Sequence, residues 1–325
     1  MKKKVYISDY DYEDLDIERS ILEPIGAEVI GLQCSTGEGL GELVKDADVL
    51  MTRYAKVTRE TCEQMDHCIG VCRYGIGVDT VDVQAVYDNG MVLTNIPDFC
   101  IEEVAEHSIA MGLALCRRLP LYDTATKAGR WEFQDAVQPI KRFRNTVWGI
   151  IGFGKIAQNI ARKIIGCGMQ VISSDPYVSE NYMASMGVKK VDIDELVKQS
   201  DVVNVMCPYN KHTHHIINED RLRMMKKNAV VVNCSRGKLV DNAALYKALT
   251  EGWIVAAGLD DTENEPSKHP DWKPEDNPLF SLSNCLISPH SGFYSEDSLI
   301  DNRRLTAINA RALLTGEPPI NIVRP

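Results

Sequence analysis

The stretch GIIGFGKIAQNIARKI, residues 149–164, decides the fold class that this sequence predicts. Gly152, Gly154 and Ala157 follow the spacing Gly-x-Gly-x-x-Ala, after an apolar run and before a segment of helical periodicity. The first glycine permits a tight turn, the second lets the backbone approach a pyrophosphate, and the alanine lets the helix pack closely on the strand. The amino end of such a helix also attracts an anion. The pattern predicts a strand, phosphate-binding loop and helix of the Rossmann type.

An acidic residue follows the next apolar run at the distance that dinucleotide-binding units use. The run MQVISSD ends at Asp175, about 20 residues beyond the glycines. A carboxylate at that place accepts hydrogen bonds from both hydroxyl groups of an adenosine ribose, and its charge repels a ribose phosphate. No arginine adjoins Asp175, so the sequence favours NAD over NADP. The other residues of the loop are also expected to contact the cofactor: Phe153, Lys155 and Ile156.

The length and composition are those of a globular protein with room for two domains. The chain has 325 residues, of which 44% are hydrophobic and 25% charged, which argues against a disordered protein. Its formal net charge of −10 disfavours nucleic acid as a partner. No apolar run approaches the roughly 18 residues of a membrane span, and the start, MKKKVYISDYDYED, turns acidic where a signal peptide is apolar. We therefore expect a cytoplasmic protein with no membrane partner.

The cysteines and histidines do not form a metal-binding pattern. The 10 cysteines are scattered without a Cys-x-x-Cys pair, which is typical of reduced thiols, most of them in a core. His67, Cys68 and Cys72 come close together, but Cys72 belongs to the apolar run HCIGVCRYG, so packing explains them better. The cluster HTHH, residues 212–215, has no companion carboxylates at ligand spacing. The sequence predicts no metal site.

Short apolar runs alternate with segments of helical period along the whole chain. In the first hundred residues the runs are KVYI, AEVIGL, DADVLMT, HCIGVCRYG and MVLTNI, and the helical segments include LVKDADV and DVQAVYDNG. A second series starts near Thr146 with TVWGIIGFG, MQVISSD, DVVNVMC, NAVVVNCS, WIVAAGLD and CLISPH. This alternation predicts an α/β fold with two doubly wound parallel-sheet domains.

Two long helices and one capped helix are predicted from periodicity and end signals. The segment CIEEVAEHSIAMGLALCRRL, residues 100–119, reads as one helix that Pro120 ends, and residues 295–316 read as another. Asp241 is expected to cap a third helix that stops at Gly252.

Three predicted strands of the second series lead to charged side chains, at the edge where parallel sheets bind ligands. These are Arg236 after VVVNCS, Asp260 and Glu265 after VAAGL, and His290 after CLISP. Arg236 offers a planar fork for a carboxylate or keto acid, although a surface salt bridge would also explain it. Glu265 is a candidate partner that would keep the His290 ring protonated, although it also reads as a turn residue before Pro266.

An imidazolium at His290 would supply the proton that a ketone oxygen gains during hydride transfer, while Arg236 stabilises the developing negative charge. In the reverse reaction the neutral ring would act as the base. A histidine at a strand end is also commonly structural, so the residue types alone leave both interpretations open.

Taken together, these residues resemble the D-isomer-specific 2-hydroxyacid dehydrogenase family over nearly the whole chain. Besides the Gly152 loop, the matching segments are RYGIGVD, VAEH, VNCSRGKLVD, GLDDTENEP and SPH. The resemblance implies that Arg236, Glu265 and His290 form the catalytic set and that Asp260 supports the nicotinamide side.

The resemblance also implies the remaining site residues. Further cofactor contacts are expected from Cys207, Pro208, Thr213, Cys234, Arg236, Asp260 and His290. Backbone amides around Tyr74, Gly75, Ile76 and Gly77 are expected to hold the substrate carboxylate. Arg236 and Phe293 are expected to contact the substrate as well.

In this family the last helix completes the first domain, so the resemblance implies an inserted domain. We expect a flavodoxin-like substrate domain of residues 1–99 and 291–325, and a Rossmann NAD-binding domain of residues 100–290. A homodimer is expected. The segments SDPYVS, NKHTHHIIN and PHSGFYSE are similar to the C-terminal-binding protein branch, which includes NAD-sensing transcriptional corepressors as well as enzymes. Phe293, Asp261 and Thr262 depart from the residues that are commoner at these positions.

The expected function is therefore NAD-dependent interconversion of a 2-oxo acid and a D-2-hydroxy acid. The alternative is an NAD(H)-sensing module that acts through protein partners, and a metal-dependent hydrolase would need ligands that the sequence lacks. Arg53 is a candidate for binding a second anionic group of the substrate, or else points to solvent. The substrate remains open among glyoxylate, hydroxypyruvate, pyruvate and larger 2-oxo acids, because the candidate side-chain contacts mix one cation with apolar surface: Thr52, Arg53, Tyr54, Ile76, Phe293 and Tyr294.

Overall fold

The computed structural model describes residues 2–133, 139–264 and 271–325, which divide into two compact units. Unit 1 consists of Met1–Cys100 and Ser295–Pro325, and unit 2 of Ile101–Tyr294. Each unit has its own largely parallel sheet, which confirms the predicted α/β class. None of the helices in these ranges has the length and apolar character needed to cross a membrane.

Unit 1 is built on a six-stranded sheet of order β13-β5-β4-β3-β1-β2 within the described residues. Its strands are β1 (Lys3–Ile7), β2 (Ala27–Gly31), β3 (Val49–Thr52), β4 (Gly70–Arg73), β5 (Val92–Thr94) and β13 (Ile322–Val323). Its helices are α1 (Asp16–Leu22), α2 (Leu40–Leu43), α3 (Arg59–Gln64), α4 (Val83–Asp88) and α12 (Glu296–Thr315). Neighbouring strands are parallel except β13, which is antiparallel to β5.

The last helix of the chain packs on the first strands of unit 1. Ala307 and Ala310 of α12 are fully buried in one cluster with Ile7 of β1 and Val49 of β3. The small side chains let the helix lie close to the sheet. The predicted helix over residues 295–316 is confirmed.

The predicted helical segment LVKDADV is wrong, because α2 ends at Leu43 and β3 begins at Val49. The carboxylate of Asp48 accepts hydrogen bonds from the Lys4 amide and the Lys3 ammonium group, both at 2.7 Å. These bonds draw the segment alongside β1. Val44 and Ala47 are buried as part of a turn and not of a helix, while Leu43 is half exposed.

Unit 2 has a seven-stranded parallel sheet of order β12-β11-β10-β9-β6-β7-β8 in the part of the chain that the structure describes. Its strands are β6 (Val147–Ile151), β7 (Gln170–Ser174), β8 (Lys189–Lys190), β9 (Val202–Val205), β10 (Val230–Asn233), β11 (Ala256–Leu259) and β12 (Cys285–Ile287). Its helices are α5 (Ile101–Cys116), α6 (Leu119–Lys127), α7 (Lys155–Gly166), α8 (Glu180–Ser185), α9 (Ile193–Gln199), α10 (Glu219–Met224) and α11 (Asn242–Thr250). Strands β9, β10 and β11 are buried along their whole length, as expected for a parallel sheet covered on both faces.

The helix predicted over residues 100–119 is shorter than expected. It ends at Cys116, and Arg118 takes a left-handed conformation with a φ of +58°. Pro120 does not end this helix; it lies in the first turn of α6, where its missing N–H costs nothing. The predicted cap of α11 is confirmed, because the Asp241 carboxylate accepts the Ala244 amide at 2.9 Å.

Candidate active site

The predicted phosphate-binding loop connects β6 to α7. Gly152 has a φ of +90°, and an added Cβ would lie 2.9 Å from the Cα and backbone nitrogen atoms of Cys207. Any other residue would strain both its own backbone and the neighbouring chain. Gly154 is the N-cap of α7, and a Cβ there would meet no protein atom within 4 Å. The loop thus leaves space for an anionic ligand at the amino end of α7.

Asp175 joins this loop to the end of β7. One carboxylate oxygen accepts the amide of Phe153 at 2.8 Å, and the other accepts the amides of Tyr177 at 2.8 Å and Val178 at 3.2 Å. An ionised carboxylate has about four acceptor sites, so with three amides bound about one site remains for a hydroxyl group of a ribose. The observed bonds orient the carboxylate before a ligand binds.

The other predicted cofactor residues that follow β9 and β10 contribute mostly apolar surface and loop structure. Burial raises the pKa of Cys207 to about 11 and that of Cys234 to about 12, so both thiols are neutral near pH 7. Thr213 donates its hydroxyl hydrogen to the carbonyl oxygen of Pro208 at 2.8 Å and accepts the amide of Asn210 at 2.8 Å. Its hydroxyl group therefore closes the loop that carries Pro208.

Five strands of unit 2 end in register, so the residues that follow them meet at one edge of the sheet. The aligned residues at the strand ends are Ile151, Val205, Asn233, Leu259 and Ile287. The loops after these strands carry Gly152, Arg236, Asp260 and His290. This is the edge at which parallel α/β sheets bind ligands.

Asp260 organises the turn after β12. Its backbone carbonyl accepts the amide of His290 at 2.8 Å. Its carboxylate, only 3% exposed, accepts the amide of Ser291 at 2.9 Å, the amide of Gly292 at 2.8 Å and the hydroxyl group of Ser288. Three successive amides therefore point at one residue, and this fixes the turn.

The surroundings of Asp260 favour its ionised form. Burial alone would raise its pKa, but the nearby His107 side chain together with hydrogen bonds from Ser288 and the two backbone amides outweighs burial and lowers the pKa below its usual value. The charge on the carboxylate is thus part of what holds the turn together.

His107 also belongs to this site, although no role was predicted for it. It lies on α5, and its Nε2 atom is 2.9 Å from Ser288 Oγ and 3.4 Å from Asp260 Oδ1. Ser288 follows it by 181 positions, so no spacing rule relates the two. The segment VAEH matched the family pattern, and that match was the available signal.

His290 has a φ of +51°, in the left-handed region that residues other than glycine seldom adopt. Its amide lies 2.8 Å from the carbonyl oxygen of Asp260 and 3.0 Å from that of Ser288. Its ring centroid is 6.5 Å from that of Phe293, with the ring planes at 71°. Glu265, the predicted partner of the ring, lies outside the described residues, and the pairing stays a prediction.

Arg236 follows β10 in a turn that Asn233 holds. The buried Asn233 side chain donates to the carbonyl oxygen of Arg236 at 2.8 Å and accepts the amide of Ser235 at 3.1 Å. Arg236 Nη1 donates to the carbonyl oxygen of Ser235 at 3.0 Å. The next residue, Gly237, passes so close to the loop after β11 that a Cβ would lie 2.1 Å from the carbonyl carbon of Thr262. The turn is therefore fixed against its neighbouring loop.

The substrate-binding residues predicted in unit 1 lie in the loop after β4. The amide of Tyr74 donates to the carbonyl oxygen of Thr52 at 2.9 Å, so this amide is already occupied. The amides of Gly75, Ile76 and Gly77 stay the predicted ones for binding the substrate carboxylate. Gly75 has a φ of +129°, which requires glycine. The carbonyl oxygens of Gly75 and Ile76 accept hydrogen bonds from residues after β5 at 3.1 Å and 2.6 Å. These bonds fix the loop.

Arg53 is enclosed within unit 1 and does not point to solvent. Its guanidinium carbon lies 4.8 Å from the ring centroid of Tyr12 and 4.9 Å from that of Tyr54. Its Nη1 atom pairs with Asp11, and the side chain is only 8% exposed. Asp9 fixes the adjoining backbone by accepting the amides of Arg53 at 3.2 Å and Tyr54 at 2.8 Å. A carboxylate and two ring faces therefore already balance the charge of Arg53.

Within residues 2–133, 139–264 and 271–325, no three side chains of His, Cys, Asp or Glu are grouped so as to hold a metal ion. In the histidine cluster at 212–215, the ring of His214 stacks on that of His215 with centroids 3.9 Å apart. His215 Nε2 lies 2.6 Å from a carboxylate oxygen of Glu263.

The sequence matches a family model described as D-isomer specific 2-hydroxyacid dehydrogenase, NAD binding domain, over residues 109–292. The chain belongs to the D-isomer specific 2-hydroxyacid dehydrogenase family. The matched residues lie in unit 2 and include the phosphate-binding loop, Asp175 and the turn that Asp260 holds. This member of the family therefore carries its NAD binding domain.

Two proteins similar to this chain, a dehydrogenase and a reductase, illustrate the range of substrates in the family. The chain is 38% identical over 322 residues to D-3-phosphoglycerate dehydrogenase of Methanocaldococcus jannaschii, covering 98% of this chain and 59% of that protein. It is 35% identical over 287 residues to glyoxylate reductase of Korarchaeum cryptofilum, covering 87% of this chain and 84% of that protein. The chain thus spans well under two thirds of the length of the first relative.

A solved structure of the family also matches the whole chain. D-lactate dehydrogenase from Aquifex aeolicus, complexed with NAD and lactic acid, superposes with a TM-score of 0.87 at 29% identity and covers 98% of both chains. The enzymes named here differ in substrate, so they show the family and not the particular 2-hydroxy acid. They give no support to the predicted resemblance to the C-terminal-binding protein branch.

Proposed function

We propose that this protein interconverts a 2-oxo acid and a D-2-hydroxy acid by hydride transfer with NAD. One observation carries the proposal: the phosphate-binding loop, Arg236 and His290 follow strands that end in register at one edge of the unit 2 sheet. Hydride transfer to a ketone needs a cofactor, a cation and a proton donor at one place. Membership of the family supports the same reaction.

The residues at this edge fit NAD. Gly152 supplies the tight turn, and Gly154 leaves the amino end of α7 open to a pyrophosphate. The oriented carboxylate of Asp175 suits a ribose with free hydroxyl groups. When bound, NADH supplies the hydride. Every other role in the reaction is assigned to groups of this protein.

We assign the proton to His290 and the stabilisation of negative charge to Arg236. During reduction the carbonyl carbon gains the hydride, and its oxygen takes the proton from the protonated His290 ring. During oxidation the neutral ring takes that proton back. Glu265 is proposed as the partner of the ring on the family resemblance alone, and the amides of Gly75 to Gly77 are proposed to bind the substrate carboxylate on the same ground.

We propose a substrate with one negative charge, such as glyoxylate or pyruvate. Support comes from Arg53, the cation after β3, because its guanidinium group is paired with Asp11 and covered by Tyr12 and Tyr54. A second anionic group on the substrate would have to displace Asp11 from this pair. A phosphorylated substrate is therefore less favoured than a small 2-oxo acid.

The test is NADH oxidation with a panel of 2-oxo acids, followed by oxidation of both enantiomers of the product. We expect turnover of small 2-oxo acids, specificity for the D enantiomer, and loss of at least about 100-fold in kcat for His290→Ala. His212→Ala, at an exposed position, is the matched control and should behave as the wild-type protein. A silent panel would exclude the proposed reaction, and equal rates for His290→Ala and an active wild type would exclude His290 as the proton donor.

A homodimer and a cytoplasmic location remain proposals. Trp131 and Phe133 are 88% and 75% exposed, and large apolar side chains that are exposed together often mark a protein contact. Light scattering of the wild type and of Trp131→Glu would test the dimer. The NAD(H)-sensing alternative would gain support only from a protein that binds NADH and turns over no 2-oxo acid.

A further inference from the structure

A chain of hydrogen bonds leads from α5 to the turn that carries His290. His107 Nε2 lies 2.9 Å from Ser288 Oγ, and Ser288 Oγ bonds to Asp260 Oδ1. Asp260 in turn accepts the amides of Ser291 and Gly292. We call His107, Ser288 and Asp260 the α5 relay.

Counting hydrogens fixes the direction of the α5 relay. Asp260 is ionised and has no hydrogen to give, so Ser288 must donate its single hydroxyl hydrogen to the carboxylate. Ser288 Oγ then has only lone pairs to offer His107, and His107 must donate its Nε2 hydrogen. The relay therefore runs from His107 through Ser288 to Asp260, and each member has one defined role.

The turn after β12 has little tolerance for movement of Asp260. His290 is in a left-handed conformation, which costs about 1–2 kcal/mol and persists only where neighbouring contacts impose it. A Cβ on Gly292 would lie 2.7 Å from Asp260 Oδ2 and 3.5 Å from His107 Cδ2. The carboxylate, the imidazole and the backbone of the turn are thus packed against one another without room for another side chain.

We propose that His107 is a positioning residue for His290, acting through Ser288 and Asp260. The inference rests on the proposed function, in which His290 exchanges the proton. The Nε2 hydrogen of His107 fixes the rotamer of Ser288. Ser288 then holds one oxygen of the Asp260 carboxylate, and the carboxylate holds the amides of Ser291 and Gly292. His107 touches neither the reacting atoms nor the proton that is transferred.

The experiment compares His107→Leu, His107→Gln and the wild-type protein. The glutamine amide nitrogen takes the place of Nε2 and can donate to Ser288, whereas leucine cannot. We expect His107→Leu to lower kcat at least about tenfold while the dissociation constant for NADH stays within about twofold, since misplacement of a catalytic group acts on the chemical step. His107→Gln should recover most of the loss. Glu106→Gln, at an exposed position on the same helix, is the control and should leave kcat unchanged.

Hydrogen exchange supplies a readout that does not depend on activity. The amides of Ser291 and Gly292 should exchange at least about tenfold faster in His107→Leu than in the wild type, and at the wild-type rate in His107→Gln. Unchanged exchange and unchanged kcat in His107→Leu would overturn the inference and leave the proposed function standing. A wild-type protein that is inactive with every 2-oxo acid would instead remove the proposed function, while the exchange rates still decide whether the relay holds the turn.

If His107→Leu does not fold, a comparison of His107→Asn with His107→Gln tests the same inference. His107→Asn carries its amide nitrogen one bond too close to the backbone to reach Ser288. Faster exchange of the Ser291 and Gly292 amides in His107→Asn than in His107→Gln supports the relay. Equal exchange in these two variants overturns it.

Discussion

Gly152 and Cys207 approach so closely that a methyl group on the glycine would lie 2.9 Å from the Cα atom of the cysteine. Gly152 also has a φ of +90°, so alanine there meets both a steric and a conformational cost. We expect Gly152→Ala to reduce the free energy of unfolding of unit 2 by about 2 kcal/mol. Denaturation followed by tryptophan fluorescence measures this change, because the 4 tryptophans all lie in unit 2 and Trp148 is fully buried in β6.

Gly154→Ala is the matched control for that variant. A Cβ at Gly154 meets no protein atom within 4 Å, so folding should be unaffected while the methyl group obstructs the pyrophosphate. We expect unchanged stability and at least about tenfold weaker NADH binding, measured by fluorescence titration. Equal destabilisation by the two substitutions would contradict the distinct roles of these glycines.

Asp175→Asn should relax the preference for NADH over NADPH. The side-chain carbonyl of asparagine can still accept the amide of Phe153, now 2.8 Å from the Asp175 carboxylate, but the charge that repels a ribose phosphate is lost. We expect the ratio of the two dissociation constants to fall about tenfold, which is about 1.4 kcal/mol. The measurement is a titration with each cofactor. A ratio that does not move would show that Asp175 does not face the ribose.

Asp260→Asn should destabilise unit 2 in a pH-dependent way. The pKa of Asp260 is lower in the folded protein than its usual value of about 3.9. Its contribution to stability is therefore fully present above about pH 4 and is lost as the pH falls through the depressed pKa. We expect the variant to be less stable than wild type by about 2 kcal/mol at pH 7.

The difference in the free energy of unfolding between wild type and Asp260→Asn should shrink as the pH falls below about 4. Unfolding free energies measured from pH 7 down to pH 3 test this trend. Asp301→Asn, at a position 46% exposed, should show no such dependence. A difference that grows in acid would contradict the depressed pKa.

Glu18→Gln should destabilise unit 1. The Glu18 carboxylate is fully buried and accepts Arg303 Nη2 at 2.7 Å and the hydroxyl group of Tyr74 at 3.2 Å. Removing its charge leaves the guanidinium group of Arg303 without its buried partner, which typically costs about 3–5 kcal/mol. Faster hydrogen exchange in α1 and α12, without a change in α7, would confirm the effect. The double change Glu18→Met with Arg303→Leu should recover much of the loss.

Asp11→Asn should alter substrate preference if Arg53 contacts the substrate. The substitution removes the carboxylate that pairs with Arg53 and frees the guanidinium group for a second anionic group. We expect the kcat/KM for oxaloacetate relative to pyruvate to rise about tenfold. No change in this ratio would place Arg53 outside the substrate site.

The phosphate-binding loop and the strand-end residues could be predicted because each depends on local constraints. Gly152 must combine a positive φ with a close approach to Cys207, which only glycine allows, and Asp175 must follow the next strand. Both requirements can therefore be recognised from residue type and spacing. Arg236, Asp260 and His290 could be placed because parallel strands end at a common edge.

Other features could not be predicted because their causes are distant or ambiguous along the chain. A proline such as Pro120 reads equally as the end of one helix or the first turn of the next. His107 depends on Ser288, 181 positions later. The surroundings of Arg53 depend on Tyr12 and Asp11 folding back over β3, which no short pattern records.

Unit 1 is formed from two distant parts of the chain, and this affects the order in which the two units can fold during synthesis. Its sheet is completed when β13 pairs with β5, with the Tyr87 hydroxyl group bonded to the carbonyl oxygen of Val323 at 2.7 Å. On the ribosome, every strand of unit 2 has therefore emerged while β1 to β5 still wait for α12 and β13. Synthesis therefore gives the nucleotide-binding unit the earlier opportunity to fold, while the first hundred residues keep an unpaired sheet edge until β13 has emerged.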